Sequence, residues 1–343
     1  MSAARKTWES SAVRSVRFRK TLVVTSAALC AGMVLSACGE SGKSSDEGKG
    51  KSEGNVTVAT AKGDLEVPRK PARVAALDNT SFATLKAFGV KPVAVPKALL
   101  PNEGFEDWKN DSSIKDVGTH REPKFEVLNA SEPTLIIGGY RFTDHHDKLS
   151  KIAKTVDVAP SDEAKGGYVN ALKTQTEALG KIFAEEKKAA EIVAALDKAE
   201  QAAVAATKGE KVFLGVASAG KVDNGASRIS RLTQPLSLKN VLGAEGQEST
   251  SVHDNSGLAP ETIAKLNPDW MIVLDRDAAV GGEEGAKVVA AKKIVEDMEA
   301  WDKTTFRQKN QVIYLSNDFY LTEGIQAYTL PFYQGATAFT AAS

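Results

Sequence analysis

The chain has 343 residues, 42% of them apolar and 26% charged, with 44 basic against 44 acidic side chains and two cysteines. That length can bury a large core and allows two domains, and the composition is that of an ordinary globular body. The balanced charge gives no overall attraction to nucleic acid, and two cysteines are too few for a disulfide framework.

At the N-terminus Arg14, Arg17, Arg19 and Lys20 precede an apolar run from Leu22 to Ala37 that is interrupted only by Thr25, Ser26, Gly32 and Ser36. A charged region followed by such a run reads as a signal peptide over residues 1–37. At roughly 16 residues the run is short of the about 20 that a spanning helix needs. It ends in Leu35, Ser36, Ala37 and Cys38, which resembles the lipobox of bacterial lipoproteins. The resemblance implies that Cys38 is diacylated and becomes the new N-terminus. Cys30 lies in the discarded segment, so no thiol remains in the folded part. Removing residues 1–37 takes away six basic residues and one acid, which leaves 38 basic against 43 acidic side chains and a net charge of −5. This argues further against a nucleic-acid partner.

Residues 38–54 comprise the lipidated cysteine and a segment rich in Gly, Ser and Lys without large apolar side chains, a flexible tether by composition. The body begins with "NVTVAT" and "GDLEVP", which read as a β-hairpin. "ARVAALD" then reads as a strand, "TSFATLKAFGV" as a helix closed by Gly89, and "PVAV" (92–95) as a second strand. Strand, helix, strand is the unit of a parallel α/β sheet.

A longer pattern occurs twice. In "EVLNASEPTLIIGGYR" Glu126 stands seven residues before Pro133 and Arg141 eight after it; in "ETIAKLNPDWMIVLDR" Glu261, Pro268 and Arg276 hold the same spacing. Helix, proline-initiated strand and terminal arginine in one register predict two lobes of similar plan. Between them lie about 40 residues rich in Ala, Glu and Lys and free of proline, which predict helix with a break at Gly180 and a stop at Gly209. Their apolar positions hold no strict heptad, so a coiled coil is disfavoured. "KVFLGVAS" and "VIYLS" (312–316) read as strands of the second lobe. The expected boundaries are 55–165 for the first lobe, 166–207 for a helical connector and 208–343 for the second lobe.

In a parallel α/β sheet ligands bind beyond the carboxyl ends of the strands. Arg141 and Arg276 are predicted there in the two lobes. Each alone could pair with a neighbouring acid, Asp144 for the first and Asp275 or Asp277 for the second, whereas as a matched pair they point to ligand contact. Arg228 follows strand 211–217 and a loop rich in Gly, Ser and Asn. Three guanidiniums in one cleft call for a strongly anionic ligand, because unpaired cations repel there. His253 in "TSVHDNSG" reads, taken alone, as a surface or capping histidine, and Tyr320 in "SNDFYLTEG" as packing at the cleft edge. His145 and His146 are adjacent, so their rings point apart, and no third ligand has a convincing spacing for zinc. No nucleophile elbow, phosphate-binding loop or dinucleotide fingerprint is present, which argues against an enzyme.

A lipoprotein anchor, a polar tether and two α/β lobes joined by one long helix resemble the helical-backbone class of substrate-binding proteins of ABC importers. That class serves ferric siderophores, haem and cobalamin. Within it, "ARVAALDNTSFATLKAFGV", "DVGTHREPKFEVLNASEPTLIIGGYR", "NGASRISRL", "SVHDNSGLAPETIAKLNPDWMIVLDRDAA" and "FYLTEG" are similar to the petrobactin and enterobactin type of ferric-catecholate binder. The resemblance implies two Rossmann-like lobes with the ligand cleft between them. It implies that Arg141, Arg228 and Arg276 contact catecholate oxygens, and that His253 and Tyr320 complete the coordination of Fe(III) when the siderophore supplies four donors. Fe(III) would arrive as cargo in the siderophore complex, with no permanent cofactor and no catalysis. The implied partners are an ABC permease and its ATPase, met by a lipid-anchored monomer on the extracytoplasmic face of the cell membrane. Glu245 matches the permease-docking acid of the second lobe, while the corresponding first-lobe position is Ala83. The rivals are a haem or cobalamin binder of the same class and, from another class, a lipid-anchored hydrolase using His253.

Overall fold

The computed structural model describes residues 54–242, 258–281 and 288–343. Asn55–Thr60 (β1) and Gly63–Pro68 (β2) form the expected antiparallel hairpin, turned at Gly63 and burying Val58 and Val67. The first lobe then alternates strand and helix: Val74–Ala76 (β3), Phe82–Ala87 (α1), Ala94–Val95 (β4), Glu106–Asn110 (α2), Lys115–Asp116 (β5), Phe125–Ala130 (α3), Leu135–Ile137 (β6), His146–Leu149 (α4) and Thr155–Val156 (β7). Its sheet is wholly parallel, in the order β5-β4-β3-β6-β7. Helices cover both faces of such a sheet, which is why the residues of β3, β6 and β7 are all buried. Gly89 takes the left-handed conformation that ends α1, with the Val90 N–H donating back to the Leu85 carbonyl.

The segment 166–207 is two helices rather than one, Gly167–Phe183 (α5) and Glu186–Ala206 (α6). The expected break at Gly180 does not occur. The helix runs through it, and the reversal falls at Ala184, which adopts φ +55. Gly180 serves a different end: a Cβ there would stand 2.6 Å from that of Ala189, so the glycine lets α6 fold back against α5. Only α5 makes the span between lobes. Its Leu179, Ile182 and Phe183 belong to the first-lobe core, while Tyr168, Val169 and Leu172 belong to the second. At about 1.5–3 kcal/mol for each buried large apolar side chain, both ends are firmly held.

The second lobe comprises Lys211–Ser218 (β8), Lys221–Asn224 (β9), Ala226–Thr233 (α7), Lys239–Asn240 (β10), Pro260–Leu266 (α8), Trp270–Asp275 (β11), Arg276–Val280 (α9), Ala291–Asp297 (α10), Thr305–Gln308 (α11), Val312–Tyr314 (β12), Asn317–Thr322 (α12) and Ile325–Ala342 (α13). Its parallel order β10-β8-β11-β12 repeats the first-lobe order β4-β3-β6-β7. The recurring sequence pattern therefore occupies one topological place in both sheets. The loop expected after β8 is instead a hairpin: Ala219 at φ +50 and Gly220 at φ +74 turn the chain so that β9 pairs antiparallel with β8.

A polar seam joins the lobes beyond α5. Asn79, fully buried after β3, donates from its amide to the carbonyls of Leu321 (2.8 Å) and Thr322 (3.3 Å) in α12. Thr84 and Gln326 exchange hydrogen bonds across the same boundary. Next to Asn79, the Asp78 carboxylate accepts from the Thr80 N–H and hydroxyl and from the Gln175 amide of α5.

Burial pushes the Asp78 carboxyl up to about 6 despite these bonds, with Asp157 adding repulsion. Its folded value exceeds the unfolded one, so its contribution to stability is complete at about pH 4 and below and is lost as pH rises through about 6. Paired thermal melts of the parent and Asp78→Asn between pH 3 and 8 should show the parent losing ground between those limits, by at most about 1.4 kcal/mol per pH unit, with a constant difference above. A parent that gains relative to the variant over that range would contradict the assignment.

Candidate functional site

The carboxyl ends of the two sheets bring Arg141, Arg228, Arg276 and Tyr320 together. Arg141 lies in the short 3-10 turn Tyr140–His145 that follows β6, and its Nη2 donates to the Tyr320 backbone carbonyl at 3.5 Å across the lobe boundary. The expected bland partner, Asp144, does not pair with it. Among the described residues no carboxylate lies within 4 Å of Arg141, and its buried Nε has no hydrogen-bond partner. Burial and the neighbouring Arg228 charge both lower its pKa, although a guanidinium stays charged at any physiological pH.

Arg228 sits in the first turn of α7, where the N-terminal end of a helix disfavours a cation. Two contacts offset this. Its guanidinium lies 4.7 Å above the centre of the Tyr320 ring, and its Nη1 donates to Glu323 Oε1 at 2.7 Å. Burial lowers its pKa, and Arg231 and Arg276 act in the same direction against the favourable field of Tyr320. Glu323 is 1% exposed, adopts φ +48 at the end of α12, and leaves Oε2 without a hydrogen bond. Burial pushes its carboxyl up to about 8; the 2.7 Å contact with the Arg228 guanidinium has the length of a charge-assisted pair and favours the ionised form against that burial.

Arg276 begins α9 directly after β11. Its Nη1 donates to the Ser218 hydroxyl (3.2 Å) and to Asp277 Oδ1 (3.1 Å). Asp277 is itself fixed by the Ser218 hydroxyl and the Ala219 N–H. Of the two acids that the sequence offers to Arg276, the pair therefore forms with Asp277. Asp275 instead caps α9 and accepts from the Ala291 N–H. Tyr320 is 5% exposed, lies within α12, and its hydroxyl makes no hydrogen bond to the described residues. His253, Glu245 and Cys38 lie outside the described residues.

Four further residues complete the setting. Arg121 and His120, in the turn after β5, are close enough to Arg141 to interact electrostatically; burial and these two arginines lower the His120 pKa, favouring the neutral ring. Arg231, one turn beyond Arg228, closes the lobes together: it pairs with Asp162 at 2.5 Å, donates to the Tyr140 hydroxyl and covers the Tyr168 ring at 4.5 Å. Glu323 is the fourth. The sequence carried signals for two of these, a second arginine in "SRISRL" and the sole acid of "FYLTEG". The described residues contain no group of three or more His, Cys, Asp or Glu able to hold a metal ion. What the site offers is a set of guanidiniums beside an aromatic hydroxyl, suited to an oxygen-rich anion.

The chain is similar to several known proteins. The family model described as periplasmic binding protein matches residues 74–319. The petrobactin-binding protein YclQ of Bacillus subtilis is 31% identical over 304 residues, covering 87% of this chain and 92% of the relative. Its crystal structure matches with a TM-score of 0.68 and 25% identity, covering 84% of this chain and 99% of that one. The ferric-anguibactin-binding protein FatB of Vibrio anguillarum is 26% identical over 316 residues, 89% of this chain and 94% of the relative. The siderophore-binding protein BauB, solved with ferric iron and two molecules of acinetobactin, shares the fold with a TM-score of 0.68 at 24% identity, over 83% of this chain and 98% of that one.

The loop that carries Glu323 is set by close packing. A Cβ on Gly324 would stand 2.3 Å from the Thr80 carbonyl oxygen of the other lobe, whereas one on Gly335 in α13 would meet only the Phe339 ring at an ordinary 3.7 Å. Gly324→Ala should cost about 1–3 kcal/mol in chemical denaturation, while Gly335→Ala should be neutral or gain up to about 1 kcal/mol. Equal effects would show that the loop has room to move.

Proposed function

The chain belongs to the periplasmic binding protein family, and on that premise we propose that it captures a ferric siderophore, catecholate or mixed catecholate, between its lobes and delivers it to an ABC permease for iron uptake. The observation that carries this reading is Arg141. It is a half-buried cation with no carboxylate within 4 Å among the described residues, a buried Nε without a partner and a second guanidinium beside it. Such an arrangement is stable when an anion completes it. Ferric catecholates supply charged oxygens that guanidinium forks bind by charge-assisted hydrogen bonds. The likeness to a petrobactin-binding relative over 92% of that protein supports the same ligand class.

In this reading Arg141, Arg228 and Arg276 hold the ligand oxygens. Tyr320 and His253 fill the Fe(III) sites that a tetradentate siderophore leaves open, since phenolate oxygen and imidazole both suit iron. The chain catalyses nothing and works as a monomer with the permease and its ATPase. Cys38 anchors it by lipid to the extracytoplasmic face of the membrane, and Glu245 docks on the permease. No helix among the described residues is long and apolar enough to cross a membrane. Ala83, half-buried against the first-lobe core, offers no acid for a matching contact there.

Tryptophan fluorescence of the purified protein, titrated with a ferric catecholate, a ferric hydroxamate and haem, tests the ligand class. Saturable quenching by the catecholate is expected, and Arg141→Ala should weaken it by about 10- to 100-fold, the value of one charge-assisted contact of about 1.5–3 kcal/mol. Quenching by haem alone would transfer the protein to the haem-binding branch of its class. No response to any of the three would remove the importer reading. Separately, Cys38→Ala should move the protein from the membrane fraction to the soluble one; an unchanged distribution would refute the lipid anchor.

A further inference from the structure

The charges around the cleft differ between the lobes. On the first, Arg141 has no carboxylate within reach among the described residues and Arg121 stands nearby. On the second, Arg228 pairs with Glu323 at 2.7 Å and Arg276 with Asp277 at 3.1 Å. Asp277 is a well-satisfied anion, bound by a hydroxyl and a backbone N–H besides the arginine. Glu323 is not. Its side chain is 2% exposed, Oε2 has no hydrogen bond, and its backbone is left-handed at φ +48, which a residue with a Cβ adopts at a cost.

Holding Arg228 in place does not require that charge. A neutral amide of the same shape would accept the same bond, and the backbone is fixed independently by the Tyr168 hydroxyl on the Glu323 carbonyl and by Gly324 packed on Thr80. What an ionised carboxylate adds is a negative charge directly behind one of the ligand-facing guanidiniums, and the 2.7 Å contact with Arg228 is what favours that form against the burial of the side chain. Among the described residues, the three arginines and the two carboxylates paired with them leave one net positive charge, and the nearby Arg121 makes two. Arg231 is balanced by Asp162.

We propose that Glu323 is a specificity-determining residue that sets the ligand charge the cleft accepts, favouring ferric chelates with one or two negative charges over the trianionic tris-catecholate. This rests on the ferric-chelate reading above and narrows it to mixed chelates. Iron(III) bound by catecholates and hydroxamates provides the probe: each catecholate brings two negative charges and each hydroxamate one. The net negative charge of a hexadentate chelate therefore equals its number of catechols.

The test is a titration of the full chain, purified in detergent, with a hexadentate series bearing three, two, one and no catechols, for the parent and Glu323→Gln. The parent should bind the one- or two-catechol members best. Glu323→Gln should shift the optimum toward three, tightening the tris-catecholate relative to the one-catechol member by on the order of tenfold and leaving the uncharged member unchanged. An unaltered ranking, or the same change for every member, would overturn the proposal. Should that variant fail to fold, Arg228→Gln and the double variant Arg228→Gln/Glu323→Gln decide. The single change should move the optimum to fewer catechols and the double change should restore the parental ranking; a double variant that ranks like the single one would overturn the proposal. A parent that binds no member would instead remove the ferric-chelate reading itself, an outcome distinct from an altered or unaltered ranking.

Discussion

A guanidinium held partly out of water needs an anion, and that requirement organises the space between the lobes. Arg228 satisfies it with Glu323 and a tyrosine face, and Arg276 with Asp277. Arg141 has a backbone carbonyl at 3.5 Å and no carboxylate among the described residues. The electrostatic cost of placing these cations close together is visible in the depressed pKa values of Arg141 and Arg228, each lowered first by burial and also by a neighbouring arginine. A cleft arranged this way is least stable when empty, so an anionic ligand gains from relief of repulsion as well as from its own contacts.

Such repulsion would open a loose structure, and the scaffold is not loose. Helix α5 contributes to both cores, and the junction of α12 and α13 is pinned to the first lobe by Asn79, Thr84 and the contact of Gly324 with Thr80. Arg231 adds a clasp between α7 and the first lobe through Asp162 and Tyr140. Tyr320 and Glu323 lie on the pinned junction itself, so the tyrosine that would meet the ligand and the acid that backs Arg228 are both held by contacts across the boundary. This favours recognition by a preformed surface over closure of one lobe on the other, because a swing would break several buried polar contacts at once.

Much of this was legible in the sequence. Periodicity and proline placement located the hairpin β1–β2 and strands β8 and β11, and the repeated spacing of Glu, Pro and Arg located Arg141 and Arg276 at equivalent sheet positions. What the sequence hid had physical causes. Gly180 reads as a helix breaker by propensity, yet it is retained inside the helix because α6 approaches too closely for a Cβ. The β9 hairpin was hidden because Ala219 supplies a left-handed turn residue that alanine seldom does. Glu323, Arg231 and Asn79 act through partners 95, 69 and 242 residues away, and no local pattern carries that information.

The overall charge of the chain and the charge of the cleft also have opposite signs. Without residues 1–37 the chain carries five more acids than bases, whereas the arginines concentrate positive potential between two low-dielectric walls. Long-range attraction is therefore weak and falls off within about 8–10 Å at physiological salt. An anionic chelate is selected at the mouth of the cleft rather than drawn in from a distance. Under those conditions discrimination depends on the fixed charges nearest the ligand, and a single buried carboxylate behind Arg228 changes the fit more than many acids scattered over the outer surface.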